Sequence, residues 1–215
     1  MARGGDLDNR RNDAANGDIA LEARAVSREF GGFFAVRDVD LKVRHNTIHA
    51  LIGPNGAGKT TLFNLLTKFL PPSAGRILCD GEDITAAAPD AIARRGMVRS
   101  FQISAAYGQK RALELATTLA LEPRILLLDE PMAGLGQEDI GRISALIRRI
   151  AAERTVLMVE HNLNVVADLS DTITVLARGQ VLAEGGYAEV ARDPRVIEAY
   201  MGSAGSDGST GGSHD

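Results

Sequence analysis

The nine residues GPNGAGKTT, from Gly53 to Thr61, constrain the fold of this chain more than any other stretch. They fit the pattern G-x-x-x-x-G-K-[ST], which marks a phosphate-binding loop when it joins a strand to a helix. The apolar run TIHALI before the motif predicts a buried strand, and GKTTLFNLLTKFL has helical spacing. We therefore predict an α/β domain in which this loop binds nucleotide phosphates.

The residues of the loop have separate roles in this prediction. Its three glycines let backbone N–H groups turn towards phosphate oxygens, and the helix that follows adds the positive end of its dipole. Lys59 would reach the β and γ phosphates of ATP, Thr60 would offer its hydroxyl to Mg²⁺, and Thr61 would add a phosphate contact. A structural Gly-rich turn explains neither Lys59 nor Thr60. The predicted nucleotide-binding set is Gly53, Pro54, Asn55, Gly56, Ala57, Gly58, Lys59, Thr60 and Thr61.

Two acids and a histidine follow later strands. ILLLDEP ends an apolar strand in Asp129 and Glu130, where an α/β sheet exposes ligand groups at its carboxyl edge. We expect Asp129 to hold the metal through water and Glu130 to polarise the attacking water. Two such acids in isolation are commonly a solvated turn. His161 follows the strand TVLMVE and should open on the same edge, although a lone histidine there is more often a capping or solvent-facing residue.

Composition excludes several other functions. The 24 basic and 28 acidic residues give a net charge of −4, which provides no basic field for binding nucleic acid. Cys79 is the only cysteine, so an internal disulfide and a cysteine-built metal site are excluded, and we expect a small buried residue. No apolar stretch approaches the length of a membrane span, so any membrane role should come through a partner.

The apolar pattern predicts a P-loop core with a mostly parallel sheet flanked by helices, plus an antiparallel β portion. We expect disordered tails at residues 1–17 and 203–215, which are rich in polar residues and glycine, and one nucleotide-binding domain at 18–202. The remaining predicted strands are ALEARAVSREF, DVDLKV, GRILC, GMVRSFQ and the hairpin TITVLARGQVLAEG, and the predicted helices are PDAIARR, YGQKRALELATTLAL, QEDIGRISALIRRIAAE, AEVARD and PRVIEAYM.

Together these motifs resemble the nucleotide-binding subunits of ABC transporters over residues 21–202. Phe30 stands where that family stacks an aromatic ring on adenine, although core packing explains a lone phenylalanine equally well. Gln102 resembles the loop glutamine that senses the metal and the γ-phosphate, although a lone glutamine is usually a surface residue. The loop AGLG, Ala133 to Gly136, resembles the segment that crosses the family's dimer interface.

YGQKRALELATTLALEP resembles the family's signature helix, whose N-terminus caps the ATP that the opposite subunit holds. The resemblance places Tyr107, Gly108 and Gln109 at that nucleotide, whereas the stretch alone is an amphipathic helix. Family members carry a helical subdomain of many tens of residues before this helix. Here only ISAAY separates Gln102 from Gly108, and Ala106 stands in place of the usual serine. The resemblance therefore implies that the helical subdomain is largely absent.

The resemblance also implies a function. Two such domains close on two ATP molecules with Mg²⁺, hydrolyse them and drive a permease. Catalytic roles fall on Glu130, His161 and Gln102, and the metal contacts on Thr60, Gln102 and Asp129. The C-terminal run VLAEGGYAEVARDPRVIEAYMG and the stretch DEPMAGL look most like the subfamily that imports branched-chain and related amino acids.

The implied partners are a second nucleotide-binding subunit, membrane permease subunits and a solute-binding protein. The implied location is cytoplasmic, peripheral on the inner face of the cell membrane. Two alternatives stay open at this point. One is a soluble ABC ATPase that is not linked to transport, and the other is a truncated nucleotide-binding module with little or no turnover.

Overall fold

The computed structural model describes residues 18–100 and 117–203. In chain order the strands are β1 (Ile19–Phe30), β2 (Phe33–Arg44), β3 (Ile48–Ile52), β4 (Ala74–Cys79), β5 (Glu82–Asp83), β6 (Met97–Ser100), β7 (Ile125–Asp129), β8 (Thr155–Val159), β9 (Thr172–Ala177) and β10 (Gln180–Gly185). The helices are α1 (Lys59–Leu66), α2 (Pro89–Arg94), α3 (Gln137–Ala151), α4 (Leu163–Leu169), α5 (Tyr187–Val190) and α6 (Pro194–Ser203).

The central sheet has six strands in the order β10-β9-β3-β8-β7-β6. Strands β9, β3, β8, β7 and β6 run parallel, and β10 returns antiparallel to β9 through the turn at Arg178 and Gly179. Because β3, β7 and β8 are parallel, the residues that follow them emerge at one edge of the sheet. This edge is where the phosphate loop, the two acids and the histidine are expected.

A second, antiparallel sheet has the order β2-β1-β4-β5. The pair β1 and β2 turns over at Gly31 and Gly32, and β4 and β5 turn over at Asp80 and Gly81, where both residues have positive φ. The predicted fold class, an α/β core with an added antiparallel portion, is confirmed.

The core lies on both faces of the central sheet. Alternate residues of the buried strands point to opposite faces, which is why their sequences are continuously apolar. Leu51, Leu127 and Leu157 face the antiparallel sheet and α1. On the other face, Ala50, Leu126, Leu128, Val156 and Met158 pack with residues of α3, α4 and α6. Cys79 is buried at the edge of the first cluster, and burial raises the pKa of its thiol to about 11.

The helices differ from the predictions in a few places. Helix α1 ends at Leu66, because Lys68 adopts a positive φ and the Thr67 hydroxyl bonds back to the carbonyl of Phe63. Helix α4 was not predicted, although Asn162 caps it by accepting hydrogen bonds from the backbone of Asn164 and Val165.

Several predictions concern residues that the structure does not describe. The predicted tails fall there, apart from Ser203, which is the last residue of α6. The predicted signature helix falls there too, apart from residues 117–121, of which 117–119 are helical. In the two described ranges, no helix is long and apolar enough to span a membrane.

A buried histidine in β3 makes the stability of the fold depend on pH. His49 is 1% exposed and its Nε2 lies 2.7 Å from the Thr174 hydroxyl oxygen, which donates its own proton to Glu184. Because that hydroxyl already donates, Nε2–H of a neutral imidazole is the donor to it. Burial lowers the pKa of His49 from 6.5 to about 4.

We therefore expect the free energy of unfolding to fall as pH decreases from about 6.5 to about 4. The unfolded chain takes up a proton at His49 in this window and the folded chain does not, which costs on the order of 3 kcal/mol. Urea unfolding followed by circular dichroism at a series of pH values measures the effect. His49→Gln should have a shallower pH profile than the wild type. His45→Gln is the control, because His45 is partly exposed beside Asp80. Equal profiles for the wild type and His49→Gln would contradict the prediction.

Candidate functional site

The phosphate loop follows β3 and leads into α1, as the motif predicts. Gly53 has a φ of 149°, and a Cβ there would collide with the carbonyl of Leu176 in β9. Gly58 has a φ of 99°, and a Cβ there would lie 2.5 Å from the carbonyl oxygen of Ala35 in β2. Both positions need glycine, because the loop is packed against backbone on two sides. The loop is therefore held in shape by the strands around it.

Lys59 is the first residue of α1, and its ammonium is half-buried over the loop. Nζ donates hydrogen bonds to the carbonyl oxygens of Gly53 at 2.6 Å and Pro54 at 3.0 Å. Desolvation lowers the pKa of Lys59, and the nearby charge of Glu130 opposes that shift. Glu130 is therefore close enough to Lys59 for its charge to act on the ammonium, and both groups lie at the carboxyl edge of the central sheet. Among the other residues of the loop, Asn55, Gly56 and Thr60 are exposed.

Glu130 and His161 lie together at the carboxyl edge of the central sheet. His161 Nδ1 is 3.5 Å from Glu130 Oε1, and the His161 side chain is 60% exposed. Glu130 has a φ of 48°, in the left-handed region that a glutamate adopts only when the surrounding structure imposes it. Its backbone N–H donates to the carbonyl of Val159, so the turn after β7 is joined to β8. This contact brings the predicted catalytic acid and the predicted histidine together.

Asp129 is held by a residue that the sequence analysis missed. Arg99 in β6 donates through Nη2 to Asp129 Oδ2 at 2.7 Å and through Nη1 to Asn64 Oδ1 at 2.6 Å. Its guanidinium also stacks over the rings of Phe63 and Phe69, 4.9 and 5.6 Å from their centroids. The signal in the sequence was an arginine within the predicted strand GMVRSFQ, and only the pairing of Arg99 with Leu127 brings it near Asp129.

The donors at this edge fit Mg²⁺ only together with a bound nucleotide. Within the described ranges no three His, Cys, Asp or Glu residues form a group that could hold a metal. The Asp129 carboxylate and the Thr60 hydroxyl are hard oxygen donors, and Mg²⁺ is typically bound by one or two such groups plus phosphate oxygens and water. Arg99 engages Oδ2 of Asp129, and no hydrogen bond within the described ranges engages Oδ1. These residues are therefore suited to a metal that arrives with phosphates.

Glu160 precedes His161 and is 1% exposed. Its carboxylate accepts hydrogen bonds from the backbone N–H groups of Met132, His161 and Asn162. In the sequence Glu160 is only the last residue of the run TVLMVE before His161, and no role was predicted for it. The signal that was available is a charged residue at the end of the apolar run TVLMV.

The predicted adenine-stacking residue Phe30 lies at the turn between β1 and β2 and is 45% exposed, so it is not a core residue. The guanidinium of Arg28 lies 4.6 Å from its ring centroid. Phe33 and Phe34, at the same turn, are also exposed. The turn therefore presents three aromatic rings, of which the resemblance selects Phe30 for adenine.

The C-terminal helix α6 touches the phosphate loop, a contact that the sequence did not predict. Burial raises the pKa of Tyr200, whose hydroxyl lies close to the backbone of Gly53. A cavity of about 610 Å³ lies beside this contact, lined by the loop, by the β9–β10 hairpin and by Arg195 and Glu198 of α6. The predicted site residues Gln102, Tyr107, Gly108 and Gln109 lie outside the described residues.

Known proteins with this arrangement were found by sequence and by structure. The high-affinity branched-chain amino acid transport ATP-binding protein BraF of Pseudomonas aeruginosa is 34% identical over 250 residues, covering 86% of this chain and 98% of BraF. The chain belongs to the ABC transporter ATP-binding subunits. LivG of Escherichia coli, named as a protein of the same kind, is 30% identical over 86% of this chain and 98% of its own length.

The other comparisons agree with this family. The model of the ABC transporter family matches residues 36–103, and the model named branched-chain amino acid ATP-binding cassette transporter matches residues 180–206. An ATP-binding cassette of an ABC transporter, crystallised in its ADP conformation, superposes with a TM-score of 0.81 at 25% identity, covering 86% of this chain and 99% of the other. A nucleotide-free cassette, at 24% identity, has the same fold with a TM-score of 0.81.

This chain is shorter than BraF and LivG. The alignment with BraF runs over 250 positions and takes in 86% of the 215 residues, so about 65 positions have no residue in this chain. The match to the ABC transporter model ends at residue 103, within the predicted junction between residues 102 and 108.

Proposed function

We propose that this chain is the ATP-binding and ATP-hydrolysing subunit of an importer for branched-chain or related amino acids. The observation that supports the ATPase role best is the gathering of Lys59, Asp129, Glu130 and His161 at one edge of the sheet. The amino acid class is supported by the names of BraF and LivG and by the C-terminal match at residues 180–206.

Within this proposal, the loop from Gly53 to Thr61 binds the phosphates, and Phe30 would stack on adenine. Lys59 would leave the carbonyls of its own loop for the β and γ phosphates, Asp129 and Thr60 would hold Mg²⁺, and Glu130 would position the attacking water. When bound, Mg²⁺ would neutralise part of the negative charge of the phosphates. His161, within reach of Glu130, would contact the γ-phosphate side of the same site.

The partners belong to the same proposal. The subunit would work at the inner face of the cell membrane with a second nucleotide-binding subunit, permease subunits and a solute-binding protein. Gln102 would sense the metal and γ-phosphate of its own ATP, and Tyr107, Gly108 and Gln109 would face the ATP of the second subunit.

The test of the function has two parts. Phosphate release by the purified protein with ATP, in Mg²⁺ and in EDTA, measures hydrolysis, and uptake of labelled leucine in cells lacking the gene measures transport. We expect Mg²⁺-dependent hydrolysis, and restoration of uptake by the wild-type gene but not by a Lys59→Ala variant. Hydrolysis without any effect on uptake would favour a soluble ATPase that is not linked to transport. The absence of Mg²⁺-dependent hydrolysis, together with no restoration of uptake, would overturn the proposal.

The short connection between Gln102 and Gly108 should weaken pairing of two subunits without preventing nucleotide binding. Six residue steps span at most about 20 Å when fully extended. A tether of this length limits how far Tyr107, Gly108 and Gln109 can reach from their own sheet towards the opposite ATP, so we expect that contact to be weak. Insertion of a relative's helical segment between Ser104 and Ala105 should therefore increase ATP-dependent dimerisation, as measured by size-exclusion chromatography. An unmodified chain that already dimerises with ATP and shows permease-stimulated hydrolysis would contradict this prediction.

A further inference from the structure

One buried carboxylate joins the two loops that contain Glu130 and His161. Glu160 Oε1 accepts from the backbone N–H of Met132 at 2.9 Å, in the turn after β7. Its Oε2 accepts from the backbone N–H groups of His161 at 3.0 Å and Asn162 at 3.2 Å, in the turn after β8. A glutamate that is 1% exposed and accepts three backbone hydrogen bonds has little freedom to move.

These hydrogen bonds lie close in the chain to Glu130 and His161, the two residues proposed to act in hydrolysis. Met132 lies two residues beyond Glu130, and the N–H of Ala133 closes that turn by bonding to the carbonyl of Glu130. The backbone N–H of His161 itself donates a hydrogen bond to Glu160 Oε2. The left-handed φ of Glu130 is a conformation that a non-glycine residue keeps only where the surrounding structure holds it, so the turn needs such an anchor.

We propose that Glu160 is a positioning residue, which holds Glu130 and His161 in their contact of 3.5 Å for hydrolysis. The inference rests on the proposed ATPase function. Glu160 itself faces backbone N–H groups and acts through the two loops. Loss of one of its bonds should displace Glu130 without disturbing the phosphate loop, which is built by β3 and α1.

Glu160→Gln is the substitution that removes hydrogen bonds between the side chain and the two loops with the smallest change in side-chain shape. A carboxamide has one accepting oxygen, while its NH₂ group can only donate. If the oxygen serves His161 and Asn162, the NH₂ group meets the N–H of Met132, and two donors face each other. If the amide is reversed, both bonds to the turn after β8 are lost. Either orientation breaks the side-chain link between the loops, while the backbone bond from Glu130 to Val159 remains.

Three measurements on the full chain test the proposal. We expect Glu160→Gln to lower kcat for ATP hydrolysis roughly 100-fold, as a displacement of about 1 Å does, while the Kd for ATP changes by less than about threefold. Amide hydrogen exchange by NMR should be faster at Met132 and unchanged at Leu127 in β7. Glu22→Gln is the matched control, because Glu22 is also buried but pairs with Arg24 and Lys42 in the antiparallel sheet.

The outcomes separate the inference from the function. Wild-type kcat in Glu160→Gln, or an equal loss in Glu22→Gln, would overturn the positioning role. Unchanged exchange at Met132 would overturn the link between the loops. A wild-type chain that binds ATP but never hydrolyses it would instead contradict the proposed function, whatever the exchange of Met132 shows.

Discussion

Replacing Glu130 with Gln should remove ATP hydrolysis and leave ATP affinity nearly unchanged. The glutamine fills the same volume at the end of β7 but no longer polarises water. Loss of a positioned general base lowers a rate by about 10²- to 10⁴-fold. Phosphate release measures the rate, and titration with a fluorescent ATP analogue measures the affinity. Glu138→Gln is the control, because Glu138 is an exposed carboxylate in the first turn of α3.

Asp129→Asn should give a different result and thereby distinguish the two neighbouring acids. The asparagine keeps one oxygen for Arg99 but loses the negative charge that Mg²⁺ requires, so ATP binding should lose its dependence on Mg²⁺. Glu130→Gln should keep that dependence. Hydrolysis by Glu130→Gln at the wild-type rate would contradict the role of Glu130, and unchanged Mg²⁺ dependence in Asp129→Asn would contradict the role of Asp129.

The sequence predicted the parts of the site that depend on local pattern. The phosphate loop needs glycine where its backbone lies close to other backbone. These glycines therefore occur at fixed positions in the motif, which can be recognised in the sequence. The acids and the histidine could be placed on one edge because the strands before them were recognisably parallel, and the carboxyl ends of parallel strands share an edge.

The sequence did not predict the contacts that depend on distant pairing. Arg99 reaches Asp129 because β6 lies beside β7, and Glu160 reaches Met132 because β7 lies beside β8. Neither spacing along the chain nor residue type specifies which residues of two strands lie opposite each other. The same reason explains Tyr200, which meets Gly53 only after α6 has folded back on the sheet.

Other differences come from competition between local effects. The run GKTTLFNLLTKFL keeps helical spacing beyond Leu66, but the hydrogen bond from Thr67 and the positive φ of Lys68 end the helix. Phe30 was expected either on adenine or in the core, and its exposure at the turn removes the second possibility. A local hydrogen bond and a backbone dihedral decided the first case and exposure at a turn decided the second, and apolar spacing along the chain predicts neither.

Lys59→Ala should weaken ATP binding by about 10- to 100-fold, because charge-assisted hydrogen bonds contribute about 1.5–3 kcal/mol each. In the structure the ammonium is already partly desolvated and, among the residues that the structure describes, donates hydrogen bonds to the carbonyl oxygens of Gly53 and Pro54. Phosphate oxygens carry full negative charge and are therefore stronger acceptors for it than those carbonyls. ADP should lose less affinity than ATP, because the lysine has no γ-phosphate to contact there.

Lys68→Ala is the matched control for this experiment. Lys68 is also desolvated, and burial lowers its pKa, but its ammonium bonds to the carbonyl of Thr85, away from the phosphate loop. Both variants lose a partly buried ammonium, so a general loss of stability would affect them alike, and circular dichroism shows whether each is folded. Only Lys59→Ala should lower nucleotide affinity in the fluorescence titration. Equal affinities for the wild type and Lys59→Ala would contradict a role of Lys59 in nucleotide binding. An equal loss of affinity in Lys59→Ala and Lys68→Ala would show that the effect comes from a loss of folding.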